Sequence, residues 1–554
     1  MSLLVETPDR YGAYPRLSDT QIESLTARGQ RRPTDEGDVL IREGEEGYDF
    51  IAVLTGKVAN YEGYRSSDER LISVHGPGRF LGELSLLTGQ AAFFTSVVVE
   101  PGEVLDVPAD QLREAVVQDP ALGDLILRAY LIRRSILIGL GAGIRIVGSH
   151  YAPDTRRLRE FAARNRIPYR WIDLERDREA EALLRHLGIR PAETPVVICP
   201  AGQVLRNPSN AELARSVGLP VPHLAEATCD LAVVGAGPAG LAAAVYGASE
   251  GLVTITLDAV ATGGQAGTSS KIENYLGFPA GVSGGELAER AVIQAQKFGA
   301  QFQVPAEARG LETREDSHVI RLADGSEVRA RTVLIATGAR YRKLPVPRLE
   351  EFEKTSVYYA ATTAEALQCR RDPVAIVGGG NSAGQATLFL SRYADHIRLI
   401  VRSRDLGKDM SRYLVDRVVR LPNVEILLHT EVRELLGRET LEALLVEDTD
   451  AEEYRLIPAK ALFVFIGAQP CTGWLGGAVA VDKHGFVLTG QDSRDGAAGA
   501  RLLETSQPGV FAAGDVRHGS VKRVASAVGE GSMAVRLVWE YLHTAGRTEA
   551  ARGR

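Results

Sequence analysis

Two glycine turns of one type, each set between an apolar run and a helix-forming run, constrain this chain more than any other feature. The first lies in "CDLAVVGAGPAGLAAAVYGASEGL". A β-type run leads into Gly235-x-Gly237-x-x-Gly240, with Pro238 and Ala239 ahead of the third glycine, and an alanine-rich stretch follows. That spacing gives a tight turn, lets the backbone approach a pyrophosphate, and points a helix N-terminus at negative charge. Asp258, 23 residues past the first glycine, stands where a carboxylate accepts a ribose hydroxyl. The second turn lies in "PVAIVGGGNSAGQATLFL", with Gly378, Gly379, Gly380, Asn381, Ser382 and Ala383. At the offset of Asp258 it carries Arg402, 24 past the first glycine, with Arg404 and Lys408 close by. An acid suits a bare ribose and a cation suits a 2′-phosphate. The residues therefore predict FAD on the first fold and NADPH on the second; the alternative for the second cluster is a solvated strand end.

Two later stretches belong with the first turn. "TVLIATGAR", which contains Thr337 and Gly338, carries the chain from the first fold into the second. "GVFAAGDVRHGS" is a short β run ending in Gly514, where Asp515 can reach the ribityl or phosphate region of a flavin. Taken in order, "GAGPAG", "GGQAGTSSKIENYLGFPAGVSGGEL", "QKFGAQF", "ATGA", "GGGNSA" and "AAGDV…SAVGEG" resemble the low-molecular-weight thioredoxin reductase family, from about Cys229 to His543. The resemblance implies an FAD-binding domain split into 229–345 and 468–545 around an NADPH-binding domain at 346–467. It places Gly264, Gln265 and Asn274 near the flavin, and Lys522 or Arg523 near its pyrimidine edge with Val524 alongside. It also implies a homodimer paired through the FAD domain.

One expected part is missing. The family's Cys-x-x-Cys begins 17 residues before the first glycine of its second turn, and here that count lands on Ala361-Thr362-Thr363-Ala364. Dithiol exchange needs thiolates, so the family's catalytic positions are alanine and no catalytic residue is identifiable. The four cysteines, Cys199, Cys229, Cys369 and Cys471, form no Cys-x-x-Cys and read as packing residues. Hydride transfer between nicotinamide and flavin needs no thiol, only positioning of the two rings. The expected activity is thus NADPH oxidation through FAD with an external non-dithiol acceptor: ferredoxin, flavodoxin, a quinone, oxygen or similar. Two alternatives stay open: reduction of an external disulfide, and a non-catalytic FAD/NADPH redox sensor. The tail, "VWEYLHTAGRTEAARGR", offers Trp539, Tyr541 and His543, either as rings over the flavin or as packing of a terminal helix.

The N-terminal half shows two further losses. Short β-type runs with glycine turns, then a helical stretch from Ala109 to about Leu140, read as a small antiparallel barrel. They resemble a cyclic nucleotide-binding domain, taken here as residues 1–142. Gly82, Glu83 and Leu84 match the start of its phosphate cassette, so Glu83 is a candidate for a ribose hydroxyl in a nucleotide-like ligand. The cassette's arginine falls on Ala92, and a phosphodiester without its cation loses the strongest bond in the site, which argues against a cyclic nucleotide. Residues 143–222 read β-α-β-α-β-β and resemble a thioredoxin- or glutaredoxin-like domain. Its cis-proline turn falls on Thr194-Pro195-Val196 and its redox site on Ala152-Pro153-Asp154-Thr155, again without cysteine. The fold class expected is therefore multidomain: a β-barrel, an α/β thioredoxin-like domain and two Rossmann-like three-layer α/β domains.

Composition excludes little more. A net charge of −7 spread along the chain leaves no basic footprint for nucleic acid. No 18-residue apolar run and no signal pattern appear, so the expectation is a cytoplasmic protein with neither membrane nor metal partner.

Overall fold

The computed structural model describes residues 4–66, 69–82, 91–149, 151–177, 180–190, 193–219, 228–269, 272, 274–314, 317–353, 355–359, 361, 365–366, 369–493 and 501–552. The chain divides into two compact units. One comprises residues 1–338, 472–482 and 487–554, the other 339–471 and 483–486.

The first unit opens with helix α1 (Asp19–Thr26) and six antiparallel strands: β1 (Gln30–Thr34), β2 (Val39–Ile41), β3 (Phe50–Glu62), β4 (Arg70–His75), β5 (Phe80–Leu81) and β6 (Thr95–Val107). Successive residues of a strand point to opposite faces, and β3 uses this to serve two cores. Ile51, Val53 and Val58 join Phe93 and Tyr130, while Phe50 and Ala52 join Leu112, Leu122 and Ile126. The single helix expected from Ala109 to about Leu140 is two, α2 (Ala109–Gln118) and α3 (Pro120–Leu140). The cause is Pro120. Proline lacks an N–H and drives the preceding residue out of helical conformation; Asp119 sits at φ −119°, ψ 93° and instead caps α3, accepting from Ala121 and Leu122.

A middle module follows: β7 (Ile144–Gly148), α4 (Pro153–Arg164), β8 (Tyr169–Asp173), α5 (Ala180–His186), β9 (Val196–Ile198), β10 (Val204–Arg206) and α6 (Asn210–Ser216). Its sheet runs β10-β9-β7-β8, with β7 and β8 parallel and the other pairs antiparallel. The β-α-β-α-β-β order read from the sequence is present, with α6 added at its end. The Thr194–Pro195 bond is cis.

The first glycine turn then joins β11 (Thr228–Val234) to α7 (Pro238–Ser249). The module continues through β12 (Thr254–Leu257), α8 (Gly284–Lys297), β13 (Gln301–Gln303), β14 (Ala308–Thr313), β15 (His318–Leu322) and β16 (Glu327–Ile335). Its sheet runs β13-β12-β11-β16-β15-β14, parallel from β13 to β16 and antiparallel beyond.

The second unit contains β17 (Ala339–Tyr341), β18 (Val357–Tyr358), β19 (Pro373–Val377), α9 (Asn381–Leu390), β20 (His396–Ile400), α10 (Arg412–Val418), β21 (Val424–Leu427), β22 (Thr430–Gly437), β23 (Leu441–Asp448), β24 (Glu453–Pro458), β25 (Ala461–Val464) and β26 (Ala468–Pro470). A parallel sheet of order β18-β25-β19-β20-β21 carries the second glycine turn, and β22-β23-β24 form a meander.

The chain returns to the first unit with β27 (Val510–Ala512), which pairs in parallel with β16, and ends in α11 (Val524–Arg552). The alanine-rich face of α7 takes α11 at backbone distance: a Cβ on Gly531 would stand 2.1 Å from the Ala239 carbonyl oxygen. Along α11, Trp539 stacks on His543 and Tyr541 meets the edge of Phe511. No described helix is long and apolar enough to cross a membrane.

Candidate functional site

The turn after β11 is built where side chains cannot fit. A Cβ on Gly235 (φ 108°) would stand 2.3 Å from the Ala336 carbonyl oxygen, and one on Gly240 would stand 1.8 Å from that of Gly235. Gly237 is the N-cap of α7 and no side chain caps the helix; Pro238, at the first helical position, has no N–H to satisfy, so the free amides of the first turn, from Ala239 onward, are left to an anion. Gly264 (φ 55°) closes on this turn, a Cβ there meeting Gly237 Cα at 2.9 Å. Gln265 follows it and Asn274 lies in the next loop, both exposed.

Asp258 directly follows β12 and is occupied by backbone. Its Oδ2 accepts from Ala236 N (2.9 Å), and its Oδ1 accepts from Val260 N and Ala261 N (3.0 and 3.1 Å). The carboxylate thereby ties the glycine turn to the segment leading into Gly264. A carboxylate has about four acceptor positions, so roughly one remains for a ribose hydroxyl.

β16, beside β11, and β27, beside β16, lead into two further loops at this turn. Thr337 and Gly338 (φ 68°) follow β16. After β27, Gly514 (φ 78°) donates its N–H to Glu530 Oε2 at 2.7 Å, and a Cβ on it would lie 3.0 Å from that of Ala239. Glu530 also receives Arg517 through bonds of 2.6 and 3.3 Å. Glu530 carries no spacing signal of its own, although it lies within "SAVGEG". The turn it holds brings Gly514 against Ala239 at the start of α7, with Asp515 next in the chain. Burial pushes the Asp515 carboxyl above the usual range, with Lys522 drawing it back. Lys522 and Arg523 are exposed, and Val524 opens α11.

The second turn repeats the backbone and changes the strand end. Gly378 (φ 147°) would put a Cβ 2.4 Å from the Phe465 carbonyl oxygen. Gly379 lies against Val401, and Gly380 is the N-cap of α9, again with no side-chain cap. Asn381 Oδ1 accepts from Ser411 N at 2.7 Å; Ser382 is exposed and Ala383 fully buried. Arg402, Arg404 and Lys408 are all exposed beyond β20. Arg404 pairs with Asp450 at 3.4 Å, whereas Arg402 and Lys408 have no ion-pair partner among the described residues. Uncapped glycine turns with these strand ends fit FAD and NADPH.

Three of the four sulfurs are withdrawn from reach. Cys369 is 3% exposed, bonds the Glu365 carbonyl at 3.0 Å, and burial pushes its thiol up to about 11. Burial does the same to Cys229, to about 12, and raises Cys199, which lies 3.5 Å from Ser216 Oγ. Cys471 is half-buried. Ala361 packs at the edge of the second unit's core, while Thr362, Thr363 and Ala364 lie outside the described residues. In the N-terminal barrel, Gly82 (φ 92°) is held against Asp49, and Glu83 and Leu84 lie outside the described residues. Ala92 and Phe93 are buried in the barrel core.

The profile of the pyridine nucleotide-disulphide oxidoreductases matches residues 229–531. The chain belongs to that family. A cyclic nucleotide-binding domain profile matches residues 31–119 of the same oxidoreductase. A thioredoxin reductase of Treponema pallidum is 33% identical to the chain over 58% of its length and 99% of the relative's. A 34.2 kDa protein in the rubredoxin operon of Clostridium pasteurianum is 31% identical over 57% and 98%. The crystal structure of thioredoxin reductase from Streptococcus pyogenes superposes with a TM-score of 0.52 at 29% identity, covering 58% of this chain and 100% of that one. This oxidoreductase is a flavoprotein of the thioredoxin reductase-like kind, whose cofactors are FAD and NADPH.

Proposed function

We propose that this oxidoreductase takes electrons from NADPH through FAD and delivers them to an acceptor that is not a dithiol of its own. The observation that carries the reading is the state of its sulfur: no Cys-x-x-Cys anywhere, and three of four thiols buried with raised pKa values. A buried, protonated thiol does not exchange with disulfides.

When bound, FAD supplies a ring that accepts hydride from a nicotinamide and releases electrons singly or in pairs. The chain's residues hold and orient. The amides of the α7 turn and Gly264 receive the pyrophosphate, Asp258 the ribose, and Asp515 the ribityl region. Gln265, Asn274, Lys522 and Arg523 border the flavin. Gly378 to Ala383 receive the second pyrophosphate, with Arg402 and Lys408 on the 2′-phosphate. The middle module is read as a thioredoxin-like domain that docks and packs without thiol chemistry, and the N-terminal barrel as a module that has given up the cyclic nucleotide. The chain is read as a cytoplasmic homodimer.

The name of the Clostridium relative, tied to a rubredoxin operon, supports a small electron-carrying protein as acceptor. The thioredoxin reductases among the relatives support the second reading, reduction of an external disulfide. An anaerobic assay with NADPH separates the two. Ferredoxin, flavodoxin or a quinone should sustain turnover, while thioredoxin or a small disulfide should give no NADPH-dependent thiol. Steady thiol release would reverse the assignment.

A further inference from the structure

The segment carrying Asp258 is gripped from both sides. Ala261 N–H donates to Asp258 Oδ1, and the carbonyl of the same peptide unit, on Val260, accepts from Asn165 Nδ2 of the middle module at 2.9 Å. A peptide unit is planar and its C=O and N–H point in opposite directions. Asn165 and Asp258 therefore fix one rigid plate by its two ends. The Val260 side chain also packs on the middle module's core beside Ile144, Leu158 and Phe161.

Asn165 is itself held in place. Its Nδ2 also donates to the Phe161 carbonyl at 2.9 Å, so both neighbours are acceptors and the amide orientation is determined. Its own carbonyl accepts from Arg134 of α3 at 3.0 Å. Arg134, 4% exposed, donates to the Arg166 carbonyl (3.1 Å) and to the Tyr130 hydroxyl, and pairs with Glu289 on α8 at 3.4 Å. Arg166 reaches the same Glu289 at 2.9 Å. Three modules of the first unit thus converge beside residues 258–264.

We propose that Asn165 is a positioning residue for FAD: through the 260–261 peptide it sets the orientation of Asp258, and the N-terminal half of the chain thereby sets flavin affinity. This rests on the assignment of Asp258 to the FAD ribose. Losing one such hydrogen bond changes an equilibrium by about three- to tenfold.

The test uses the full chain stripped of flavin and titrated with FAD, following quenching of flavin fluorescence. Asn165→Ala should raise the FAD dissociation constant about three- to tenfold while the melting temperature of the apoprotein falls by no more than about 3 °C, the share of two lost hydrogen bonds. Asp258→Ala should raise it further, and the double variant should match Asp258→Ala alone, because one residue acts through the other. Arg157→Ala is the control: it lies on α4 but bonds Asn207 and Asn210, away from the segment, and should bind FAD as wild type. Wild-type affinity in Asn165→Ala, full multiplication of the two effects, or an equal loss of affinity in Arg157→Ala would each overturn the proposal. Wild-type affinity in Asp258→Ala would remove the ribose assignment itself, and this proposal with it.

Discussion

The two glycine turns share a backbone and differ at the end of the next strand. Asp258 turns inward and spends three acceptor positions on amides of its own module, whereas Arg402 and Lys408 stay in solvent. The difference teaches that the first strand end is partly structural, holding the turn shut before any ligand arrives. The second is a charge kept available. The turns also differ in closeness. At the third position the first has Gly240, with no space for a methyl group, and the second has Ala383, which fits.

That closeness gives the largest predicted effect. Gly240→Ala forces the turn apart and should abolish FAD retention, a loss of more than about 100-fold on the scale of a severe core clash. Ala383→Gly, the reverse change in the second turn, should leave NADPH affinity within about threefold. Flavin absorbance of the purified protein and NADPH titration read both. Equal losses would erase the distinction. Next comes Arg402→Ala, which should weaken NADPH by about 30-fold, some 2 kcal/mol for a charge-assisted phosphate contact, with NADH binding unchanged. An unaltered NADPH/NADH ratio would move the phosphate elsewhere.

Sulfur provides a smaller, pH-dependent effect. A thiol held at about 11 is thiolate in about one molecule per thousand at pH 8. Iodoacetamide should therefore leave the buried Cys199, Cys229 and Cys369 unmodified in the folded protein at pH 8, and label Cys369 only as the pH approaches 11. The sign for stability follows. A thiol whose folded pKa is raised contributes stability fully present below its unfolded value of about 8.5, and lost as pH rises through the folded value. Smallest of all, Cys369→Ser should leave NADPH-driven turnover unchanged. A defect there would restore a role for the lone thiol.

Much of this was legible because it is local. The glycine spacings, the acid or cation at the following strand end, and the missing dithiol all lie within short windows, where period and spacing carry the signal. The helix break at Asp119–Pro120 is equally local, and the proline alone signals it. At Asp258 the spacing shows the ligand role alone; its three backbone bonds are invisible there because an amide donor carries no sequence signature. Glu530, Asn165 and the convergence of Tyr130, Arg134 and Arg166 on Glu289 depend on partners brought together by packing across modules. No periodicity announces such pairs.

The most direct measurement is the electron count of the protein itself. Anaerobic titration with a reductant, followed at the flavin band, should consume two electrons per chain, those of FAD alone, with no new thiol appearing on reduction. Uptake of four electrons per chain with release of two titratable thiols would show a working disulfide and contradict the proposed exit route.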